Sequence, residues 1–203
     1  MRKIIDLYKK GRKPAFPSRQ IQRGRSRTVS GLTEDLFAKF LSANLRGQYK
    51  FLVDQPISLR KKTIYPDILI IKKGEIVSLL DLKMDLGWKR TKFVDFCKQK
   101  DKLMGNLKNS VVSYTDHTNE VRKELKTSGK IYYQIVIVSN RNISKEKWAS
   151  NQAQITDLKS VNNYVLTEDV HPNYLSKNPS KAFSDMKINL GEFKKLLKDI
   201  RRF

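Results

Sequence analysis

The spacing of apolar side chains switches between helical and strand periodicity along the chain. Residues 32–46 repeat apolar side chains at helical spacing, and Thr33 can cap a helix there. The apolar runs at residues 49–59 and 63–72 have the length and composition of strands. Pro56 interrupts the first run. This part of the chain therefore predicts a helix followed by two strands.

The middle of the chain continues with a strand, a helix and a buried strand. Residues 75–84 are a third apolar run, reached through a tight turn at Lys73-Gly74. Residues 90–108 return to helical spacing. Residues 131–139, IYYQIVIVS, are the clearest buried strand of the sequence. The order helix, three strands, helix, strand predicts an α/β fold with a mixed central sheet flanked by helices.

The remaining segments are less regular. Residues 109–130 are polar and ambiguous, with a short helix favoured over NEVRKELK. Residues 140–190 are rich in Asn, Ser and Lys, and we assign them to target recognition or dimerisation. A C-terminal helix is predicted over residues 192–202, with Asn189 as its cap.

Composition indicates one folded domain with a basic extension. The chain has 203 residues, of which 39% are hydrophobic and 31% charged, which is typical of a globular protein. We predict a basic arm over residues 1–30 and a single domain over residues 31–203, with its core at about 31–140. No apolar stretch is long enough to span a membrane, and the N-terminus lacks a signal-peptide core. A cytoplasmic location without membrane association is expected.

Charge points to a polyanionic partner. The chain has 42 Lys and Arg against 20 Asp and Glu, a net charge of +22. Nucleic acid is favoured, because neutralising phosphates releases counterions. An anionic membrane is the rival, but no helix shows a strong basic amphipathic pattern. Residues 1–30 carry ten Lys or Arg and one acid, which fits either a flexible arm along phosphates or a solvated, partly ordered terminus.

Two acids and a lysine lie at the ends of the second and third apolar runs, where a buried charge is costly. Asp67 and Asp81 are equally far from the turn at residue 74, so they are expected to be cross-strand neighbours. Lys83 shares a strand face with Asp81. Adjacent carboxylates repel each other unless a cation lies between them, and Mg²⁺ accepts one or two carboxylates plus water and phosphate oxygens. The cluster therefore predicts chemistry on a phosphodiester.

The same residues form a known motif. Pro66-Asp67, an apolar strand, a turn and Asp81-Leu82-Lys83 resemble the PD-(D/E)xK nuclease superfamily. That superfamily includes many type II restriction endonucleases, Holliday-junction resolvases and repair nucleases. The resemblance covers about residues 30–140 and implies a restriction-endonuclease-like αβββαβ core.

The family often has an acid on its first helix, and Glu34 matches it. Asp35 lies on a polar stripe with Lys39, whereas Glu34 shares the apolar stripe. The members of that stripe are Phe37, Ala38, Leu41 and Leu45. An acid on the buried stripe needs a functional reason.

The resemblance implies a role for each motif residue. Asp67, Asp81 and the backbone carbonyl of Leu82 would bind Mg²⁺, with Mn²⁺ as a substitute. Lys83 would act on the attacking water, and Glu34 would bind a second metal or a metal-bound water. The expected protein is a homodimeric, Mg²⁺-dependent endonuclease that hydrolyses phosphodiester bonds of double-stranded DNA.

One missing sequence motif indicates which members of the nuclease superfamily the chain resembles less. RecB-like and lambda-exonuclease-like members often carry Q-x-x-x-Y on the helix after the motif, whereas Gln99 is followed here by Leu103. This favours a restriction-type endonuclease. A junction resolvase or a repair or mobile-element nuclease remains an alternative. So do a non-catalytic nucleic-acid-binding protein and an RNA-associated basic protein, which the charge alone would explain.

Each motif residue also has a structural interpretation. Asp67 can be a turn residue after proline, and Asp81 an acid paired at a strand end. Lys83 can protect an edge strand, and Glu34 can interact with the helix dipole. Asp85 is a second-rank site candidate. We favour the nuclease site because the four residues occur together in the family order.

Basic residues next to the motif are candidate phosphate contacts. The first three are Lys89, Arg90 and Lys92, and the following helix adds Lys98, Lys100 and Lys102. The alternative for the helix is a solvated face. Elsewhere, His117 and His171 have no partners at metal-ligand spacing and are expected at the surface or in loops, and Cys97 and Trp148 are expected in the core.

Overall fold

The computed structural model describes residues 1–11, 29–86, 92–116, 119–168, 171–172 and 179–202. The helices are α1 (Arg2–Gly11), α2 (Ser30–Asn44), α3 (Phe93–Leu107), α4 (Lys145–Ile155), α5 (Pro179–Ser184) and α6 (Leu190–Arg201). The strands are β1 (Tyr49–Val53), β2 (Ile57–Leu59), β3 (Lys62–Ile64), β4 (Ile68–Lys72), β5 (Glu75–Lys83), β6 (Val111–Asp116), β7 (Val121–Ser139), β8 (Val161–Glu168) and β9 (Lys187–Ile188).

One mixed sheet organises the molecule, as the apolar pattern predicted. Strands β1, β4 and β5 form an antiparallel meander, and β5 then pairs in parallel with the C-terminal half of β7. Strand β8 pairs in parallel with β7 on its other side. The predicted α/β class with a mixed central sheet is confirmed.

Helices cover both faces of the sheet. On one face, α3 contributes Phe93, Cys97 and Met104 to a core that includes Leu79 of β5 and Tyr133 of β7. The other face packs against α2 and α6, whose apolar side chains join Val77, Leu80 and Leu82 of β5. Covered on both sides, β5 is buried from Ile76 to Leu82, which explains its almost uninterrupted apolar sequence.

Two predicted strands divide in the structure. Residues 49–59 form β1 and β2, which lie in different parts of the sheet because β1 pairs with β4 and β2 with β6. The break includes Asp54, whose φ of 47° is incompatible with a continuous strand. Residues 63–72 likewise divide into β3 and β4 at Tyr65-Pro66-Asp67, where proline cannot donate a ladder hydrogen bond.

The ambiguous segment proves to be strand. The predicted short helix in NEVRKELK is wrong, because Val121–Ser139 is one strand of 19 residues. Its N-terminal half pairs antiparallel with β6, from Val111↔Lys126 to Asp116↔Val121. Long-range pairing thus decides the conformation of a segment with no strong local preference.

The N-terminal segment is partly folded. Residues 12–28 of the predicted arm lie outside the described residues, but Arg2–Gly11 form α1 and bury Ile4, Ile5 and Tyr8. A freely flexible arm is therefore the wrong interpretation for this part, and the partly ordered alternative fits it.

The C-terminal helix is confirmed. The side chain of Asn189 caps it by accepting a hydrogen bond from the backbone N–H of Glu192. None of the helices in the described ranges is both long and apolar enough to span a membrane.

Candidate active site

The ends of β4 and β5 bring Asp67, Asp81 and Lys83 together. Ile68 pairs with Leu80, so the next positions, Asp67 and Asp81, face each other as the turn geometry predicted. The Lys83 Nζ atom lies 3.5 Å from Asp67 Oδ2 and 3.3 Å from Asp81 Oδ2. A single ammonium group therefore links both carboxylates.

Asp81 is a buried charge with several partners. Its exposed fraction is 4%, and the hydroxyl of the fully buried Tyr133 donates to its Oδ1 over 2.6 Å. Besides Lys83, the Nζ atom of Lys100 lies 3.5 Å from Asp81 Oδ2. These contacts offset the cost of removing a carboxylate from water.

Asp67 is fixed in the cluster by a hydrogen bond from the backbone of the neighbouring strand. The backbone N–H of Leu82 donates to its Oδ2 over 2.6 Å, which fixes the carboxylate against β5. Burial and the neighbouring charge of Asp81 raise the pKa of Asp67, while Lys83 and the Leu82 hydrogen bond oppose that rise. Leu82 was predicted to offer its carbonyl to a metal, and its observed contribution is this N–H.

Glu34 approaches from α2, on the opposite helical layer. It is half-buried whereas Asp35 is exposed, as the helical periodicity predicted. The pKa of Glu34 is raised to about 7, chiefly by burial and also by the negative charges of Asp67 and Asp54, while Lys83 opposes the rise. Glu34 is thus close enough to the cluster for the charges of Asp67 and Lys83 to act on it.

Lys100 and Tyr133 are site residues that the motif did not identify. Lys100 Nζ donates to the Tyr133 hydroxyl over 2.6 Å in addition to its ion pair with Asp81. Burial lowers the pKa of Lys100, and burial together with Asp81 raises that of Tyr133 well above its ordinary value. Lys98 and Lys102 on the same helix are exposed.

A signal for these residues exists in the sequence. At 100° per residue, position 100 faces away from positions 98 and 102, so the lysines of α3 cannot share one solvated face. Tyr133 pairs with Leu79 across β5 and β7 and lies on the face of Asp81. Recognising this required the parallel register, which the sequence does not specify.

The other candidates lie apart from the cluster or beyond the described residues. Lys92 is exposed just before α3, and Lys89, Arg90 and His117 lie outside the described residues. His171 was expected at the surface but is buried, with its Nε2 atom 3.5 Å from Asp85 Oδ2. The reason is tertiary, since the Tyr8 ring of α1 packs edge-on against His171, at a centroid distance of 5.5 Å. Trp148 packs against Phe93, as expected.

The carboxylates fit an open cation site better than a closed one. Among the described residues, no three His, Cys, Asp or Glu side chains form a group that could hold a metal ion. The expected direct ligands of this kind thus reduce to Asp67 and Asp81, with Glu34 nearby. Two hard oxygen donors that leave room for water and phosphate oxygens suit Mg²⁺ or Mn²⁺.

The cluster also has the charge balance of a phosphate site. Asp67, Asp81 and Glu34 supply negative charge, and Lys83 and Lys100 supply two fixed cations beside it. Such a site can hold a divalent cation and an anionic group together.

No family model matches the chain, and neither a curated protein nor a solved structure matches it.

Proposed function

We propose that the protein is a Mg²⁺-dependent endonuclease that hydrolyses phosphodiester bonds of double-stranded DNA. The observation that carries the proposal is the pair Asp67 and Asp81, which face each other on antiparallel strands within 3.5 Å of the Lys83 ammonium group. Paired carboxylates with an adjacent lysine are suited to binding a hard cation next to a phosphate.

The order of elements supports a restriction-endonuclease-like core. In chain order, α2, β1, β4, β5, α3 and β7 reproduce the expected helix, three strands, helix and strand. The β4–β5 pairing is antiparallel and the β5–β7 pairing is parallel. Strands β2, β3 and β6 are then insertions in the αβββαβ arrangement, and the motif lies at the ends of its central strands.

The side chains divide the chemical work. Asp67 and Asp81 would hold Mg²⁺, which would supply polarisation of the phosphoryl oxygen and a more acidic water. Lys83 can orient that water and offset negative charge on the phosphate in the transition state. The pKa of about 7 allows Glu34 to accept the proton of the attacking water near neutral pH. The water oxygen would bond to phosphorus as the bond from phosphorus to the 3′ oxygen breaks, and the 3′ oxygen would take a proton from solvent water, which produces a 5′-phosphate and a 3′-hydroxyl.

Within this function we favour a restriction-type enzyme that acts as a homodimer. Two symmetric copies can address the two strands of a duplex. A junction resolvase or a repair or mobile-element nuclease would use the same chemistry and would prefer branched or damaged DNA.

A binding-only protein is the second candidate. The observation that favours it is that Lys83 and Lys100 lie 3.3 and 3.5 Å from Asp81 Oδ2, so two cationic side chains of the protein neutralise this carboxylate. The net charge of +22 would then explain nucleic-acid binding, and the carboxylates would be structural.

A cleavage assay separates the two candidates. Plasmid and phage DNA are incubated with the protein in Mg²⁺, in parallel with EDTA, Asp81→Asn and Lys83→Met. Asp95→Asn is the matched control, because Asp95 is exposed in the first turn of α3. We expect fragments with wild type and Asp95→Asn only, and at least a ~100-fold lower rate with the site variants.

DNA binding without cleavage, or cleavage of branched DNA alone, would identify the other candidate functions. DNA that is shifted on a gel equally with Mg²⁺ and EDTA, and never cut even when branched, would support the binding-only protein. Cleavage of four-way junctions but not of linear duplexes would identify the resolvase alternative.

A further inference from the structure

The buried side of Asp81 is held by two residues that the nuclease motif does not contain. Tyr133 donates to Asp81 Oδ1, and Lys100 contacts both Asp81 Oδ2 and the Tyr133 hydroxyl. The three groups form a closed triangle with contacts of 2.6, 2.6 and 3.5 Å. Lys100 is thus fixed next to a candidate metal ligand rather than extended into solvent.

The remaining acceptors belong to Asp67 and Glu34. Asp67 Oδ2 accepts from the backbone N–H of Leu82 and contacts Lys83, while its Oδ1 has no hydrogen bond to the described part of the chain. Glu34 lies on α2, in the helical layer opposite α3, and forms no ion pair within the described ranges. Among the described residues, carboxylate oxygens without a protein partner are therefore found on Asp67 and Glu34, whereas both oxygens of Asp81 have partners.

We propose that the site accepts one divalent cation, and that Lys100 is the positioning residue that prevents a second one from binding beside Asp81. This inference rests on the proposed nuclease function. The ammonium groups of Lys83 and Lys100 together carry the charge of one divalent ion, within 3.5 Å of Asp81 Oδ2.

Charge and geometry both support a single ion. A second divalent ion in a two-metal site lies about 3.5–4 Å from the first and shares a carboxylate with it. On the α3 side of Asp81 that space is taken by Lys100, whose positive charge would repel the ion. Lys100 is held in this position because its ammonium group also donates a hydrogen bond to the Tyr133 hydroxyl.

The test counts bound ions without measuring cleavage. Mn²⁺ is titrated into the full-length protein in the absence of DNA, and free Mn²⁺ is quantified by electron paramagnetic resonance. We expect one bound Mn²⁺ per chain for the wild type and two for Lys100→Met, which removes the charge but keeps the length of the side chain. The matched control is Lys98→Met, an exposed lysine of the same helix, which should still bind one.

A second variant separates charge from packing. Tyr133→Phe removes the hydroxyl that holds Lys100 but leaves both ammonium charges, so we expect it to bind one ion with lower affinity. Circular dichroism identifies a variant that fails to fold, and Lys100→Gln then replaces Lys100→Met.

Each result has a distinct meaning. Two ions bound to the wild type would overturn the single-ion inference and leave the nuclease function standing. One ion bound to folded Lys100→Met or Lys100→Gln would show that Lys100 does not set the number. If the wild type bound no Mn²⁺, the proposed metal-dependent function would fail, and the inference with it.

Discussion

At the scale of single residues, Lys83 has two tasks that compete with each other. Its ammonium group lies 3.5 Å from Asp67 Oδ2 and 3.3 Å from Asp81 Oδ2 and neutralises both carboxylates. Under the proposed function, a divalent cation would take over that neutralisation and leave Lys83 available for water and phosphate.

Glu34 makes folding stability depend on pH. Its pKa is about 7 in the folded protein against 4.5 ordinarily, so the folded state retains a proton that the unfolded chain releases. The contribution of Glu34 to stability is therefore highest below pH 4.5, falls as the pH rises towards 7 and is then constant. Because Glu34 is half-exposed, solvent screening limits the effect to about 1 kcal/mol.

Urea unfolding in EDTA tests this prediction. We expect Glu34→Gln to be more stable than the wild type at pH 8 and to lose that advantage at pH 5. The exposed neighbour Asp35, changed to Asn, serves as the control. A Glu34→Gln difference that is the same at both pH values would show that the carboxyl titrates normally.

The same scale shows what the sequence could and could not reveal about the site. Asp67, Asp81 and Lys83 follow from the distance to one turn and from strand alternation, both of which are local. Tyr133 contacts Asp81 from 52 residues away in sequence, and Lys100 contacts Tyr133 from 33 residues away. Those contacts depend on the β5–β7 register and on the docking of α3, which local patterns do not encode.

At the scale of elements, helices and strands with a regular apolar spacing were predicted correctly, whereas strands with polar sequences were not. Helix α3 and strand β5 have regular periodicity, and both lie within three residues of their expected bounds. The first half of β7 is mostly polar, because all of its residues from Val121 to Lys130 except Thr127 are exposed or half-buried, and β6 mixes apolar with polar residues. These two segments form strands because they pair with each other, and neither sequence by itself indicates a strand.

Helix α1 illustrates how charge can hide a structural element. Its basic residues suggested an arm, yet Ile5 is 2% exposed and packs with Met186. We expect Ile5→Ala to lower the free energy of unfolding by about 2–4 kcal/mol, because it leaves a cavity in a packed interface.

Chemical denaturation of the full chain measures that change. Lys3→Ala, an exposed residue of the same helix, should change stability by less than about 0.5 kcal/mol. Equal, small effects of both substitutions would indicate that α1 is not anchored to the core and behaves as the predicted arm.

At the scale of the whole molecule, the net positive charge bears on how the proposed DNA substrate would reach the cluster. The net charge of +22 destabilises a compact chain by self-repulsion, and a polyanion relieves it. The cluster lies at the Lys83 end of β5, and the exposed Lys92 follows on the way into α3. Under the proposed function, a duplex would bring its phosphate to Asp67 and Asp81, and we predict that Lys92 contacts the DNA backbone.

DNA affinity should therefore depend steeply on salt. Asp81→Asn protein in EDTA keeps the duplex intact, and fluorescence anisotropy can follow binding from about 50 to 200 mM salt. If about 6–10 phosphates are neutralised, affinity should fall ~10³–10⁵-fold over this range. Lys92→Ala should reduce the slope of the log–log plot by about 1. Lys130→Ala should not, because this exposed lysine of β7 lies near Ile76, at the far end of β5 from the site. Equal effects of the two substitutions would mean that DNA is held by diffuse charge over the surface and not by a track leading to the carboxylates.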